Sequence, residues 1–214
     1  MEKKKINKKL KKIGRIFPRL IDVSDISKLK IDKVGEYSIS IPEDAMKTTN
    51  IILQKMNTND IIITDATAGV GGNTISFADN FKEVNSIELD ANRFEYLRNN
   101  LSIYKKKNVK LFNSDFLQII SLLKQDVVFI DPPWGGKDYK SKGEIILNVS
   151  NIPLEKICNN ILYNNYAKLV VLKLPINYNT KYLNKNIEYV THYYKLRNKM
   201  SLVCITNNKK VLVV

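Results

Sequence analysis

From residue 61 onward, short β-branched runs alternate with stretches of helical periodicity, and this alternation restricts the chain to an α/β architecture. The runs cover 61–65, 84–88, 109–112, 127–130 and 167–174, and those over 61–65 and 127–130 read as buried parallel strands. Helices are predicted over 74–81, 92–104, 115–123 and 154–163. A further helix from Pro42 to about Met56 is announced by proline and the acids Glu43 and Asp44 in its first turn. Segments 187–196 and 202–206 read as a closing antiparallel pair turned at Arg197-Asn198-Lys199. The expected fold is a doubly wound, mostly parallel sheet with an antiparallel C-terminal hairpin strand, preceded by a short basic extension.

In such sheets ligands sit beyond the carboxyl ends of the strands, so the loops there carry the chemistry. The run Val127-Val128-Phe129-Ile130 ends in Asp131-Pro132-Pro133-Trp134-Gly135-Gly136, which contains the chain's only tryptophan. Two prolines fix φ and remove backbone donors, which stiffens the turn and leaves carbonyls free to accept. That suits a site that must aim an amino group's lone pair at a methyl donor. Taken alone, the same residues also suit a tight turn with a half-buried aromatic.

The first strand ends in Asp65 and runs into Ala66-Thr67-Ala68-Gly69-Val70-Gly71-Gly72-Asn73. Gly69 and Gly71 let a backbone approach a ligand closely, and Gly72 eases helix packing. A phosphate loop is excluded because Gly-Lys-Ser/Thr is missing, and the dinucleotide spacing is not met. Glu88 ends the second strand, 23 positions after Asp65, where an acid can accept both hydroxyls of a ribose. Asp115 follows the third strand, able to accept from an adenine amino group while Phe116 packs on its ring. Capping a helix would also account for Asp115 and Asp90, each taken alone. Three acids at successive strand ends, with the proline loop at the fourth, describe a site for an adenosyl ligand without a pyrophosphate.

These motifs resemble S-adenosylmethionine-dependent methyltransferases, and within them the trimethylguanosine synthase family, which methylates the 2-amino group of the 7-methylguanosine RNA cap. The resemblance rests on the segments 65–74, 87–90, 115–117 and 132–136, with Asp138-Tyr139 after them. It extends upstream to Tyr37-Ser38-Ile39-Ser40-Ile41-Pro42-Glu43 and downstream to Leu174-Pro175-Ile176-Asn177. Asp131 stands where the family's cellular cap enzymes carry Ser, and Glu88 where they carry Asp. The resemblance implies that Asp65, Thr67, Gly69, Gly71, Asn73, Thr74, Glu88, Leu89, Asp115 and Phe116 hold S-adenosylmethionine. It implies that Asp131 and the Pro132 carbonyl orient the amino group, and that Trp134 stacks on the methylated guanine. Lys137, Lys173, Pro175 and Asn177 are the remaining candidates for substrate contact, the lysines toward the triphosphate, with Arg15 and Arg19 behind them. The implied layout is a basic arm and cover segment over 1–42 and a catalytic domain over 43–214.

Composition bounds the partner. Thirty-five Lys and Arg against 21 Asp and Glu give +14, which favours a polyanion such as capped RNA. An AT-rich coding bias raises Lys, Asn and Ile together but does not explain the acid deficit. The lysines within 1–12 also fit a merely solvated tail. Cys158 and Cys204 lie in apolar stretches and read as reduced thiols of an intracellular protein, cytoplasmic or nuclear. No apolar run is long enough to span a bilayer, so no membrane role is expected. A monomer is expected, although no sequence feature specifies it. Two other readings stay open: an exocyclic-amino methyltransferase acting on an internal adenine or guanine of RNA or DNA, and a silent methyltransferase-like RNA-binding subunit.

Overall fold

The computed structural model describes residues 10–20, 22–197 and 200–210, without the side chains of Val23 and Lys137. Most of the expected lysine-rich arm, and Asn198-Lys199 of the expected turn, lie outside the described residues. The elements, in order, are helices α1 (Gly35–Ser38) and α2 (Pro42–Met56), β1 (Ile62–Asp65), α3 (Gly72–Asn80), β2 (Glu83–Glu88), α4 (Ala91–Ile103) and β3 (Val109–Asn113). They continue with α5 (Phe116–Ile119), β4 (Val127–Ile130), β5 (Asn148–Val149), β6 (Ile152–Pro153), α6 (Leu154–Tyr163), β7 (Leu169–Leu174), α7 (Thr180–Asn186), β8 (Tyr189–Lys195) and β9 (Ser201–Lys209).

Among the described residues seven strands form one sheet in the order β3-β2-β1-β4-β7-β9-β8. Pairing is parallel from β3 through β7, and β9 runs antiparallel between β7 and β8. The strand order reverses at the boundary of β1 and β4, which leaves a crevice beyond their carboxyl ends. The final strand thus inserts beside β7, and β8 is left at the sheet's edge.

Alternating side chains of the central strands feed two cores. Val127, Phe129, Val171 and Cys204 face α2 and α3, joining Ile51, Ile52 and Phe77. Val128, Ile130, Val170 and Val203 face α6, joining Leu154, Ile157 and Ile161. Phe77 and Phe129 meet edge to face at 5.2 Å, worth about 1 kcal/mol beyond their buried area. A third cluster seats Ile13, Phe17 and Leu29 on Val70, Ile75, Leu97 and Leu101, so the upstream segment covers the glycine loop.

Local signals explain the boundaries. Pro42 opens α2 with Glu43 and Asp44 in its first turn, and Asn57 ends it at φ 54°. The helix expected over 115–123 is shorter. It gives way to a 3-10 turn at Ile120–Leu122, and Gln125 Nε2 donates to the Ile120 carbonyl at 3.1 Å, engaging an acceptor that a continuing helix would use. The β5–β6 ladder and α7 had no counterpart in the sequence pattern.

Candidate active site

Asp65 ends β1 with no exposed surface. Thr74 Oγ1 donates to its Oδ2 at 2.6 Å, and its Oδ1 has no partner among the described residues. Burial pushes its carboxyl up to about 7; the Thr74 hydrogen bond opposes this, and the nearby charges of Asp131 and Glu88 add to it. The loop that follows straddles the crevice, because Ala66 N donates to the β4 carbonyl of Phe129 and Ala68 N to the β2 carbonyl of Ile87, both at 2.9 Å. Thr67 then ties this loop to the proline loop. Its hydroxyl donates to the Asp131 carbonyl and accepts from the Asp131 amide, each at 2.9 Å.

Gly69 N donates to Glu88 Oε2 at 2.8 Å, with Gly69 at φ 58°. Glu88, 7% exposed, also accepts from Asp90 N at 2.9 Å and from Arg93 Nε at 3.4 Å. A cavity of about 250 Å³ opens here, lined by Thr67, Gly69, Glu88, Leu89, Asp115, Phe116 and Asp131. Arg93, Val149 and Ser150 also line it. None of the three was singled out from sequence. Ser150 arrives on the β5–β6 turn at φ 49°, and its hydroxyl donates to Asp115 Oδ2. Asp115 Oδ1 accepts from Leu117 N at 3.0 Å, so the residue both caps α5 and walls the cavity.

A second cavity, about 280 Å³, is lined by Ser38, Ser40, Asp44, Asp131, Trp134, Tyr139, Lys140 and Lys173. Asp131 and Ser38 line both cavities. The Trp134 ring meets Tyr139 edge-on at 5.1 Å. Lys173 Nζ donates to Asp131 Oδ2 and to Ser40 Oγ, both at 2.7 Å, and lies 5.5 Å from the Trp134 ring centroid. Burial pushes the Asp131 carboxyl up, and the Lys173 ammonium pulls it back.

Several candidates sit elsewhere than at a cavity wall. Asn73 Nδ2 donates to Ser40 Oγ at 2.9 Å, and Thr74 is committed to Asp65 and Ser86. Gly71, at φ 102°, caps α3 in a conformation that L side chains resist. Pro132 is buried, and Pro133 faces the first cavity. Pro175 is buried and accepts from Tyr178 N at 3.1 Å. Asn177 Nδ2 donates to the carbonyls of Tyr139, Lys142 and Gly143, bracing the far end of the proline loop. Lys173 does line the second cavity, but it was expected to reach a triphosphate and is instead 4% exposed and paired to Asp131. Arg15 and Arg19 are exposed and line neither cavity.

Two adjoining cavities with a carboxylate at their junction are what a transfer between two ligands needs. The sequence model of the RNA cap guanine-N2 methyltransferases matches residues 60–214. The chain belongs to that family. Among curated relatives, it is 35% identical over 191 residues to an uncharacterized protein of Acanthamoeba polyphaga mimivirus, covering 78% of this chain and 74% of that one. It is 30% identical over 163 residues to trimethylguanosine synthase of Schizosaccharomyces pombe, covering 69% of this chain and 66% of the yeast protein. Solved structures share the fold at low identity. Precorrin-6y C5,15-methyltransferase from Geobacter metallireducens superposes with a TM-score of 0.58 at 16% identity, over 85% of this chain and 95% of that one. An rRNA methylase from Streptococcus thermophilus gives 0.56 at 13%, over 80% and 99%. A Streptococcus mutans protein solved in complex with SAH gives 0.52 at 15%, over 78% and 98%. This member of the cap guanine-N2 family therefore has a methyltransferase fold. No helix among its described residues is long and apolar enough to cross a membrane.

Proposed function

We propose that the protein transfers a methyl group from S-adenosylmethionine to the exocyclic 2-amino group of a 7-methylguanosine RNA cap. One observation carries the reading: Asp131, which opens the Pro-Pro-Trp turn, lines both cavities.

The first cavity suits an adenosyl ligand by its donor set. Glu88 presents a nearly buried carboxylate that backbone amides already orient, and such a carboxylate can accept from ribose hydroxyls. Leu89 and Phe116 offer apolar faces for a purine, and Gly69 removes the side chain that would block close approach. When bound, S-adenosylmethionine supplies a methyl group activated by a positive sulfonium. The likeness in fold to a protein that holds SAH supports the same choice.

In the second cavity Trp134 would stack on the base. A 7-methylated guanine ring is cationic, and an indole face attracts a cation by about 0.5 to 2 kcal/mol, depending on desolvation. Asp131 accepts from the amino group and so aims its lone pair toward the first cavity. Burial raises the Asp131 carboxyl, and the ammonium of Lys173 opposes that rise and favours the charged form. The proton released by the alkylated amine can pass to Asp131 or to water. Most of the acceleration then comes from positioning, which Thr67, Lys173 and the two prolines provide.

The test incubates the protein with labelled S-adenosylmethionine and 7-methylguanosine diphosphate, with guanosine diphosphate and an uncapped oligonucleotide in parallel. Label only in the first is expected. Label only in the oligonucleotide would replace this reading with internal-base methylation, which the Asp-Pro-Pro-Trp turn also suits. Cofactor binding without transfer to any of the three would leave an RNA-binding subunit.

A further inference from the structure

The second cavity holds a carboxylate that the mechanism above does not use. Asp44 lies in the first turn of α2, is 3% exposed, and lines the same cavity as Trp134 and Asp131. Among the described residues three carboxylates line that cavity. Glu36 is paired with Lys12 at 2.6 Å and Asp131 with Lys173 at 2.7 Å. Asp44 has no cation within salt-bridge distance among the described residues, and its Oδ1 is buried without a hydrogen bond.

Helix formation explains an acid in this turn but not its burial without a partner. The N-cap of α2 is Ile41, and among the described residues no backbone amide bonds Asp44 Oδ1. Its contribution to local structure is its carbonyl, which accepts from Thr48 Oγ1 at 2.9 Å and would do so with any residue at 44. The positive end of the helix dipole offsets part of the cost of a buried charge, but buried carboxylates in native proteins are normally paired. A ligand can supply the missing partner. Close to Asp44 an anion is disfavoured by sign, whatever Lys140 attracts elsewhere on the wall, and a neutral acceptor edge offers Asp44 nothing. A purine that is positively charged and carries N–H donors on its edge satisfies both demands.

We propose that Asp44 is a specificity-determining residue, the counter-charge that makes the second cavity select a cationic, 7-methylated guanine over the neutral base. This rests on the cap reading above. It differs from the contribution of Trp134, whose quadrupole attracts a cation but whose stacking also favours the neutral ring. Asp131 contributes less to this selection, because its charge is already paired with Lys173.

Trp134 is the only tryptophan, so quenching of its fluorescence reports occupancy of this cavity. Dissociation constants for 7-methylguanosine diphosphate and guanosine diphosphate would be measured on the wild type, Asp44→Asn and Asp44→Glu. SAH affinity, measured by calorimetry, serves as the control for an intact first cavity. Asp44→Asn is expected to weaken the methylated nucleotide roughly thirtyfold while moving the unmethylated one by less than about threefold, as loss of one partner of a desolvated charge pair should. Asp44→Glu, which keeps the charge but displaces it, is expected to retain part of the discrimination, and it supplies the comparison should the Asn variant fold poorly. An unchanged affinity ratio in Asp44→Asn, with SAH affinity intact, overturns this inference and leaves the cap reading standing. A wild type that binds SAH but does not distinguish the two nucleotides overturns both.

Discussion

Lys173 Nζ lies 2.7 Å from Asp131 Oδ2, joining the end of β7 to the loop after β4 inside the protein. Breaking one side of such a pair leaves a charge without a partner, whereas removing both does not. Lys173→Met is expected to destabilise the fold by about 3 kcal/mol, at the low end for buried pairs because the Asp131 side chain keeps 15% of its exposure. The double variant Asp131→Asn with Lys173→Met should recover most of that loss. Urea unfolding of the wild type, both single variants and the double variant measures the coupling. Additive losses would show that the two charges do not interact.

Asp65 gives stability a pH dependence opposite to that of most carboxylates. Its folded-state carboxyl is pushed up to about 7, while in the unfolded chain it titrates near 4. Between these values the folded protein holds a proton that the unfolded chain has released. Stability is therefore fully present below about pH 4 and falls as pH rises toward 7, by on the order of 4 kcal/mol across the window. Asp65→Asn has no such titration. The stability of the wild type relative to this variant should drop steadily between pH 4 and 7.5 in urea unfolding. A difference that stays flat with pH would mean that Asp65 is ionised throughout.

The strands that frame the site were readable from sequence because each is buried on both faces, and burial on both faces leaves a continuous β-branched run. β1, β4 and β7 announce themselves in this way; Asp65 and Asp131 follow from where β1 and β4 stop, and Glu88 from where β2 stops. The pairing of Lys173 with Asp131 was not readable, because it depends on which strands are neighbours. Only the β4–β7 register, with Ile130 opposite Leu172, brings the two next residues together. Asp44 reads in sequence as an ordinary first-turn acid, and its lack of a partner is visible only once the surrounding side chains are placed. The β5–β6 turn that delivers Ser150 has two-residue strands, too short for any periodicity to show.

Gly72 is where the upstream segment touches the glycine loop. A Cβ there would sit 2.6 Å from the Ser40 carbonyl oxygen and 2.7 Å from Ile39 Cγ1. The first of these is backbone and cannot swing aside, so Gly72→Ala should displace the segment at a cost of about 1–3 kcal/mol. Displacing Ser40 pulls on both Lys173 and Asn73, which bond its hydroxyl. Methyl transfer should fall more than SAH affinity does. Kinetics paired with calorimetry decide the matter, and a variant with full activity and reduced stability would show that the strain relaxes away from the site.

Asn177 tests whether the proline loop must be held from its far end. Its Nδ2 donates to three carbonyls, Tyr139 at 2.8 Å, Gly143 at 3.0 Å and Lys142 at 3.2 Å, while its own carbonyl accepts from Ile145 N at 2.9 Å. The amide carries two hydrogens, so one of the three contacts is shared. Between Trp134 and this clamp runs a 3-10 turn, Lys137–Ser141, which sets Tyr139 edge-on against the Trp134 ring. Asn177→Ala frees acceptors that water can satisfy, so global stability should change little. What is lost is the order of the loop, worth about 1.5 kcal/mol for one to two net hydrogen bonds. Because Tyr139 and Trp134 line only the second cavity, the KM for 7-methylguanosine diphosphate should rise about tenfold with SAH affinity unchanged. Asn177→Asp should be worse than Ala, since a carboxylate would face the same carbonyl oxygens without a donor. A KM equal to that of the wild type in both variants would show that the two prolines alone suffice to hold Trp134 in place.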